Sequence, residues 1–379
     1  MKYLYKKSFI YAFIVVFVLA AFAIGYLNKD SFGRFFSKNS WFQVSSQTPW
    51  GERAHFALEV FNNKIWVMGG VTEESSEKRF KLLKYLYFLT LSSDQKKAIL
   101  NKLWAYGGGK LNDVWYSSDG IDWAVATKFA PWSPRRDPAS AVFDGKMWIL
   151  GGYIDGNNLN DVWYTTNGVD WIQAASSTQW SPRRGHATIV YDDKMWVIGG
   201  VGNGGFWDNT LNDVWYSIDG INWTEATAAA SWGKRSFHTA LVYDDKMWVI
   251  GGWGGWGKNF NDVWYSSDGK KWHNVTGSAQ WSPRWGHASV SYDNKMWVMG
   301  GDLNSELRKD KPESNEVWYS QNGIDWHKID SANWSPRKEL KSVIFEDKMW
   351  IMGGASNGKI IPTDISIFSD IWNYPANAR

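Results

Sequence analysis

Six arginines recur at one offset from a tryptophan. Arg53, Arg135, Arg183, Arg235, Arg284 and Arg337 each stand three residues after Trp50, Trp132, Trp180, Trp232, Trp281 or Trp334. A guanidinium presents a planar fork of donors that grips a carboxylate or phosphate at two points. A ring of such forks would suit an anionic ligand. A residue present in every copy of a repeat can equally serve the repeat's own hydrogen bonding. Arg136 and Arg184 have no counterpart in the other copies. That asymmetry makes them the better ligand candidates.

Two other residue types could meet a ligand. Apart from Trp104, the tryptophans outside the repeat register are Trp207, Trp253, Trp256 and Trp285, the first three in glycine-rich stretches. A flat apolar ring with a polar edge suits the face of a sugar or another protein. Packing of loop on loop is the plainer reading. His186, His238 and His287 hold equivalent positions, and His55 falls one residue off. Ligands for a metal must converge. Even spacing around a repeat points instead to a structural role, so no metal is expected.

The elements that position these residues are copies of one unit. Glycine pairs close it at Gly69-Gly70, Gly151-Gly152, Gly199-Gly200, Gly251-Gly252, Gly300-Gly301 and Gly353-Gly354, which makes six copies. Runs such as Ala187 to Tyr191 and Met195 to Ile198 are β-branched and aromatic, of strand length. A period near 50 residues with four short apolar runs indicates a propeller blade. Asp192-Asp193 reads as a tight turn. Asp-Gly or Asn-Gly at 119–120, 167–168, 219–220, 268–269 and 322–323 predicts type I′ hairpins, which need positive φ at both residues. Trp41 precedes Trp50 by the same nine residues that separate Trp171 from Trp180. The N-terminal strand therefore belongs to the last blade and closes the ring, leaving no open edge.

The chain resembles the kelch family. The marks are the diglycine after an apolar strand, then a Tyr seven positions before a Trp, as in Tyr164 and Trp171 or Tyr216 and Trp223. The resemblance covers about residues 40 to 374. Kelch propellers include galactose oxidase, whose cofactor requires a Cys–Tyr crosslink; this chain has no cysteine, which excludes that activity and any disulfide. Some exported kelch propellers are sialic-acid mutarotases, in which an arginine-lined pocket and a carboxylate move the proton. For that role Glu52 and Glu339 are the acids near the arginine ring.

Residues 8–28 carry no charge and would span roughly 31 Å as a helix, enough for a bilayer core. Lys2, Lys6 and Lys7 precede them, which predicts export of the remainder of the chain. The alternative is a cleaved signal ending near Ala21 to Ala23. Residues 71–110 break the repeat and read as a helical hairpin inserted in the first blade. Ser92 to Gln95 supplies its capping box. This insertion and the first 40 residues are both basic. With a net charge of +3 overall, the rest of the chain is acidic. That argues against a nucleic-acid surface on the propeller.

Links from one blade to the next open on the same face as the unequal middle loops. The opposite face carries only near-identical tight turns. Function tends to sit in variable loops on a rigid scaffold, so the first face is the candidate. The expectation is an all-β, six-bladed kelch-type propeller closed by an N-terminal outer strand. It comprises an anchor or signal (1–28), a linker (29–39) and the propeller (40–379). The leading function is an exported or membrane-anchored module that binds a glycan or a protein. The alternative is an enzyme acting on an acidic sugar, similar to the mutarotases. No cofactor is expected. Partners are the ligand and, if 8–28 is uncleaved, the membrane; a cleaved signal gives a secreted protein.

Overall fold

The computed structural model describes residues 40–72, 109–203, 209–255, 258–303, 313–329, 332–357 and 365–375. The chain divides into two units, Met1–Ser40 with Asn377–Arg379, and Trp41–Ala376. The second is all-β among the described residues.

One copy shows the pattern. Ala187–Tyr191 pairs antiparallel with Lys194–Gly202, which pairs with Thr210–Ser217, which pairs with Thr224–Thr227. Met195, Trp196, Val197 and Ile198 are all buried. A strand buried on both faces needs a continuous apolar run rather than an alternating one. The neighbours that cover it come from the adjacent copy: Trp196 and Ile198 pack with Met247, Val249 and Trp272. Trp232 joins the same cluster edge-to-face on Trp272, centroids 5.9 Å apart.

The other copies repeat this order as separate four-stranded sheets, or joined, where Arg183–Arg184 pairs with both Leu159 and Val201–Gly202. The innermost strands are Ala57–Phe61, Ala139–Phe143, Ala187–Tyr191, Thr239–Tyr243, Ala288–Tyr292 and Lys341–Phe345. Each contacts the next, and the last contacts the first. The sheets thus form a propeller-like ring. Phe42–Ser45 pairs with Ile371–Pro375 as the outer strand of the last sheet, and Gly354 N donates to Arg53 O at 3.1 Å across the same closure.

The turns differ from expectation. At the Asp-Gly sites only glycine has positive φ, +76° at Gly120 and +78° at Gly168. These are not type I′ hairpins. The loop is longer and is held by its acid: Asp119 Oδ1 accepts from Ile121 N at 2.8 Å and Asp122 N at 2.9 Å. Two-residue turns with positive φ at both positions are instead Asn62-Asn63, Asp144-Gly145, Asp155-Gly156, Asp192-Asp193, Asp244-Asp245, Asp293-Asn294 and Glu346-Asp347. Asn and Asp tolerate the left-handed region better than most residues. Glycine is needed at the longer loop for a second reason. A Cβ on Gly168 would lie 2.1 Å from the ring of Trp66 in the preceding copy.

The bounds of the insertion also change. Val71 and Thr72 pair with Lys110 and Gly109 as regular strand, so residues 71, 72, 109 and 110 belong to the sheet. The rest of the expected helical insertion, 73–108, lies outside the described residues, as does the apolar segment 8–28. No helix among the described residues is long and apolar enough to cross a membrane.

Candidate functional site

The recurring arginines are engaged by the chain itself. All six are buried, none more than 1% exposed. Arg183 Nη1 donates to Asp213 Oδ1 at 2.8 Å and to Gly199 O at 3.0 Å, and Nη2 donates to Asp213 Oδ2 at 2.7 Å. Arg53 pairs likewise with Asp113, Arg135 with Asp161, Arg235 with Asp262 and Arg337 with Asp370. Arg284 takes Glu316. Each guanidinium also lies over its link tryptophan, as Arg183 does over Trp180 at 5.7 Å. The side chain ties the link to its own sheet. The backbone ties it to the preceding one, as when Arg235 O accepts from Gly200 N at 2.9 Å. These six groups clamp the blades.

The following positions divide the work by offset. Three residues after each arginine stand Phe56, Pro138, His186, His238, His287 and Leu340. Here the histidines act as packing rings: His238 lies against Trp232, and its Cε1 would be 3.1 Å from a Cβ on Gly199. Burial, with the nearby arginines, lowers His186 and His287 to about 3 and His238 well below its usual value. They are neutral spacers between sheets.

Two residues after each arginine, the chain turns through positive φ. The values are 59° at His55, 54° at Asp137, 56° at Gly185, 50° at Phe237, 60° at Gly286 and 55° at Glu339. Backbone hydrogen bonds run from one to the next: Asp137 N to His55 O at 2.9 Å, Phe237 N to Gly185 O at 2.8 Å, Glu339 N to Gly286 O at 2.7 Å. The result is a collar on the link side of the ring. A left-handed conformation costs a non-glycine residue about 1–2 kcal/mol, and such outliers cluster at functional sites.

The collar is chemically lopsided. Glu339, His55 and Asp137 are consecutive around it; Gly185, Phe237 and Gly286 make up the other half. His55 Nδ1 lies 2.5 Å from Asp137 Oδ1 and 3.6 Å from Glu339 Oε2. Burial would raise Asp137, but His55, Arg136 and Arg184 hold it well below the usual carboxylate range. Burial pushes Glu339 up, and the charge of Asp137 adds to this against His55 and two lysines. The Phe237 ring lies over Gly185, where a Cβ would sit 2.8 Å away. Inside the ring, a cavity of about 220 Å³ is lined by Ser140, Thr188, Thr239 and Lys341 among others.

Side chains one residue after the arginines form a rim. Arg136 and Arg184 both stack on Tyr153, at 4.6 and 4.2 Å from its ring centroid. Arg136 Nε is 3.8 Å from Asp137 Oδ2. Across the collar, Trp285 meets Phe237 at 5.4 Å and Lys338 Nζ at 4.7 Å. Trp253 bridges to Ser236 beside them. The structure thus gathers Arg136, Arg184, Trp253 and Trp285 onto one face, whereas Trp207 and Trp256 lie outside the described residues. Glu339 joins the collar; Glu52 is exposed before it. The sequence alone does not single out Asp137, Phe237 or Tyr153, and it sets His55 aside. The available signal is the constant offset of two from each arginine, at which His55 falls in register.

This architecture, four-stranded antiparallel sheets around a central axis with a polar collar on one face, defines a β-propeller. The kelch-repeat domain described for KLHDC2, KLHL20 and DRC7 matches residues 29–252 and 233–377. The chain belongs to the kelch-repeat family. A solved structure described as "Structure of YjhT" superposes with a TM-score of 0.63 at 16% identity, covering 86% of this chain and 96% of that one. At that identity the likeness concerns the fold. Comparison with curated protein sequences finds no match.

Proposed function

We propose that this protein is a six-bladed kelch propeller that binds a glycan bearing an anionic group at its collar. The observation that carries the reading is the lopsided collar: ionisable groups on one half, a glycine-flanked Phe237 on the other, and the Arg136–Tyr153–Arg184 stack beside them. A guanidinium pair suits a carboxylate. Phe237 and Trp285 offer apolar faces to a sugar ring. Gly185 and Gly286 let the Phe237 ring and the Glu339 carboxylate lie close against the backbone of the collar. On this reading residues 8–28 anchor the protein or direct its export, and the propeller works outside the cytoplasm.

A second reading rests on His55, which lies between two carboxylates. That arrangement would let the site move a proton on an acidic sugar. The test is a glycan array probed with the full chain, followed by titration of any hit against Arg136→Ala and Trp285→Ala. Loss of affinity in both variants supports the site. Unchanged affinity in both sinks it. Turnover of the bound sugar, seen as anomer exchange, would select the second reading.

A further inference from the structure

We infer that Glu339, His55 and Asp137 form a binding site for one divalent transition-metal ion. The three come from separate copies of the repeat at one shared position. One ligating atom from each lies within 4.8 Å of the others.

Hydrogen bonding within this group falls short. An imidazole nitrogen carries at most one proton. His55 Nδ1 is 2.5 Å from Asp137 Oδ1, so its hydrogen bond goes there. Glu339 Oε2, at 3.6 Å, is beyond hydrogen-bond reach. The other oxygen, Oε1, is buried and has no hydrogen-bond partner. It lies against the adjoining collar residue Gly286, where a Cβ would stand 2.9 Å from Oε1. A buried carboxylate oxygen left without a hydrogen bond is costly.

Lys338 and Arg136 are engaged elsewhere. Lys338 Nζ is 2.8 Å from Asp302 Oδ2. Arg136 approaches Asp137 rather than Glu339 and stacks on Tyr153. An ion in place of the His55 proton would serve both carboxylates at once. Its +2 charge would match theirs.

The donor set also selects the ion. Calcium and magnesium take oxygen ligands. One imidazole with two carboxylates suits zinc, manganese, iron or cobalt. Three protein ligands leave positions open toward the collar, where His55 is 24% exposed. The set is not visible in the sequence, because Glu339 lies 284 residues from His55.

The test uses the full chain after chelation, titrated with zinc by calorimetry and with cobalt by visible absorption. One ion per chain with a cobalt d–d band is expected. His55→Ala and Glu339→Gln should each weaken binding at least about 100-fold. His287→Phe, at a packing position, should leave stoichiometry unchanged. Near-ultraviolet dichroism of the tryptophans checks folding, and Asp137→Asn stands in for any variant that fails it. Absence of uptake by the wild type, or equal affinity in the ligand variants, would overturn the assignment. Glycan binding by chelated protein is read separately, so the metal site and the glycan site can fail independently.

Discussion

Arg183 and Asp213 face each other as parallel forks, with Nη1–Oδ1 at 2.8 Å and Nη2–Oδ2 at 2.7 Å. The guanidinium is fully buried, and Gly199 O takes a further bond from it. Removing one partner of a buried ion pair leaves the other uncompensated, which costs about 3–5 kcal/mol. Arg183→Ala should therefore lower the denaturation midpoint sharply. Arg183→Lys should recover only part of the loss, because an ammonium cannot reproduce the fork. Retained stability in Arg183→Ala would remove the clamp role.

Gly168→Ala should destabilise by about 2–4 kcal/mol, combining overpacking with a left-handed φ. The added Cβ would meet the Trp66 ring at 2.1 Å. Gly145→Ala is the matched control, with a similar φ of +65° and nothing within 4 Å. It should lose only the backbone part. Urea titration of both separates the two terms.

Acid should unfold the protein in a window set by its buried histidines. His186 and His287 are held down to about 3 from an ordinary 6.5. Between those values the unfolded chain binds protons that the folded chain refuses, so stability falls as pH falls from 6.5 toward 3. Glu59 slopes the other way: burial holds it up to about 7, so its contribution falls as pH rises from about 4.5. The triple variant His186→Phe, His238→Phe, His287→Phe keeps Glu59 and removes the histidine part. Phe56 already fills the equivalent place. The difference between variant and wild type should flatten above pH 6.5 and grow below it. A constant difference would refute the assignment.

Arg136→Ala should reduce affinity for an acidic glycan at least about tenfold, the loss of one charge-assisted contact. Its melting temperature should fall less than that of Arg135→Ala, because Arg136 meets Asp137 only at 3.8 Å whereas Arg135 is fully buried in a fork with Asp161. Arg135→Ala, one residue earlier, should unfold or strongly destabilise the chain. The pair of neighbours distinguishes rim from clamp.

Much of the fold was legible because it repeats. The apolar runs, the diglycines and the tryptophan register are local patterns stated six times. The nine-residue gap from Trp41 to Trp50 was enough to place the closing strand, which pairs with Ile371–Pro375. Turn type was less legible. The Asp-Gly pairs marked loops whose glycines answer to a tryptophan in the preceding sheet, a contact that no local pattern records.

The site was legible only in part, for a physical reason. A repeat unit encodes what each copy does to its neighbours. Hence the sequence alone determined the blade, its strand order and the arginine in every link. Whether a guanidinium faces a ligand or an aspartate depends on how the link folds back, and the tertiary structure turned all six inward. Ring closure then brought Glu339 to within 3.6 Å of His55. Side chains so distant in sequence meet because the propeller closes on itself, and that meeting belongs to the fold as a whole.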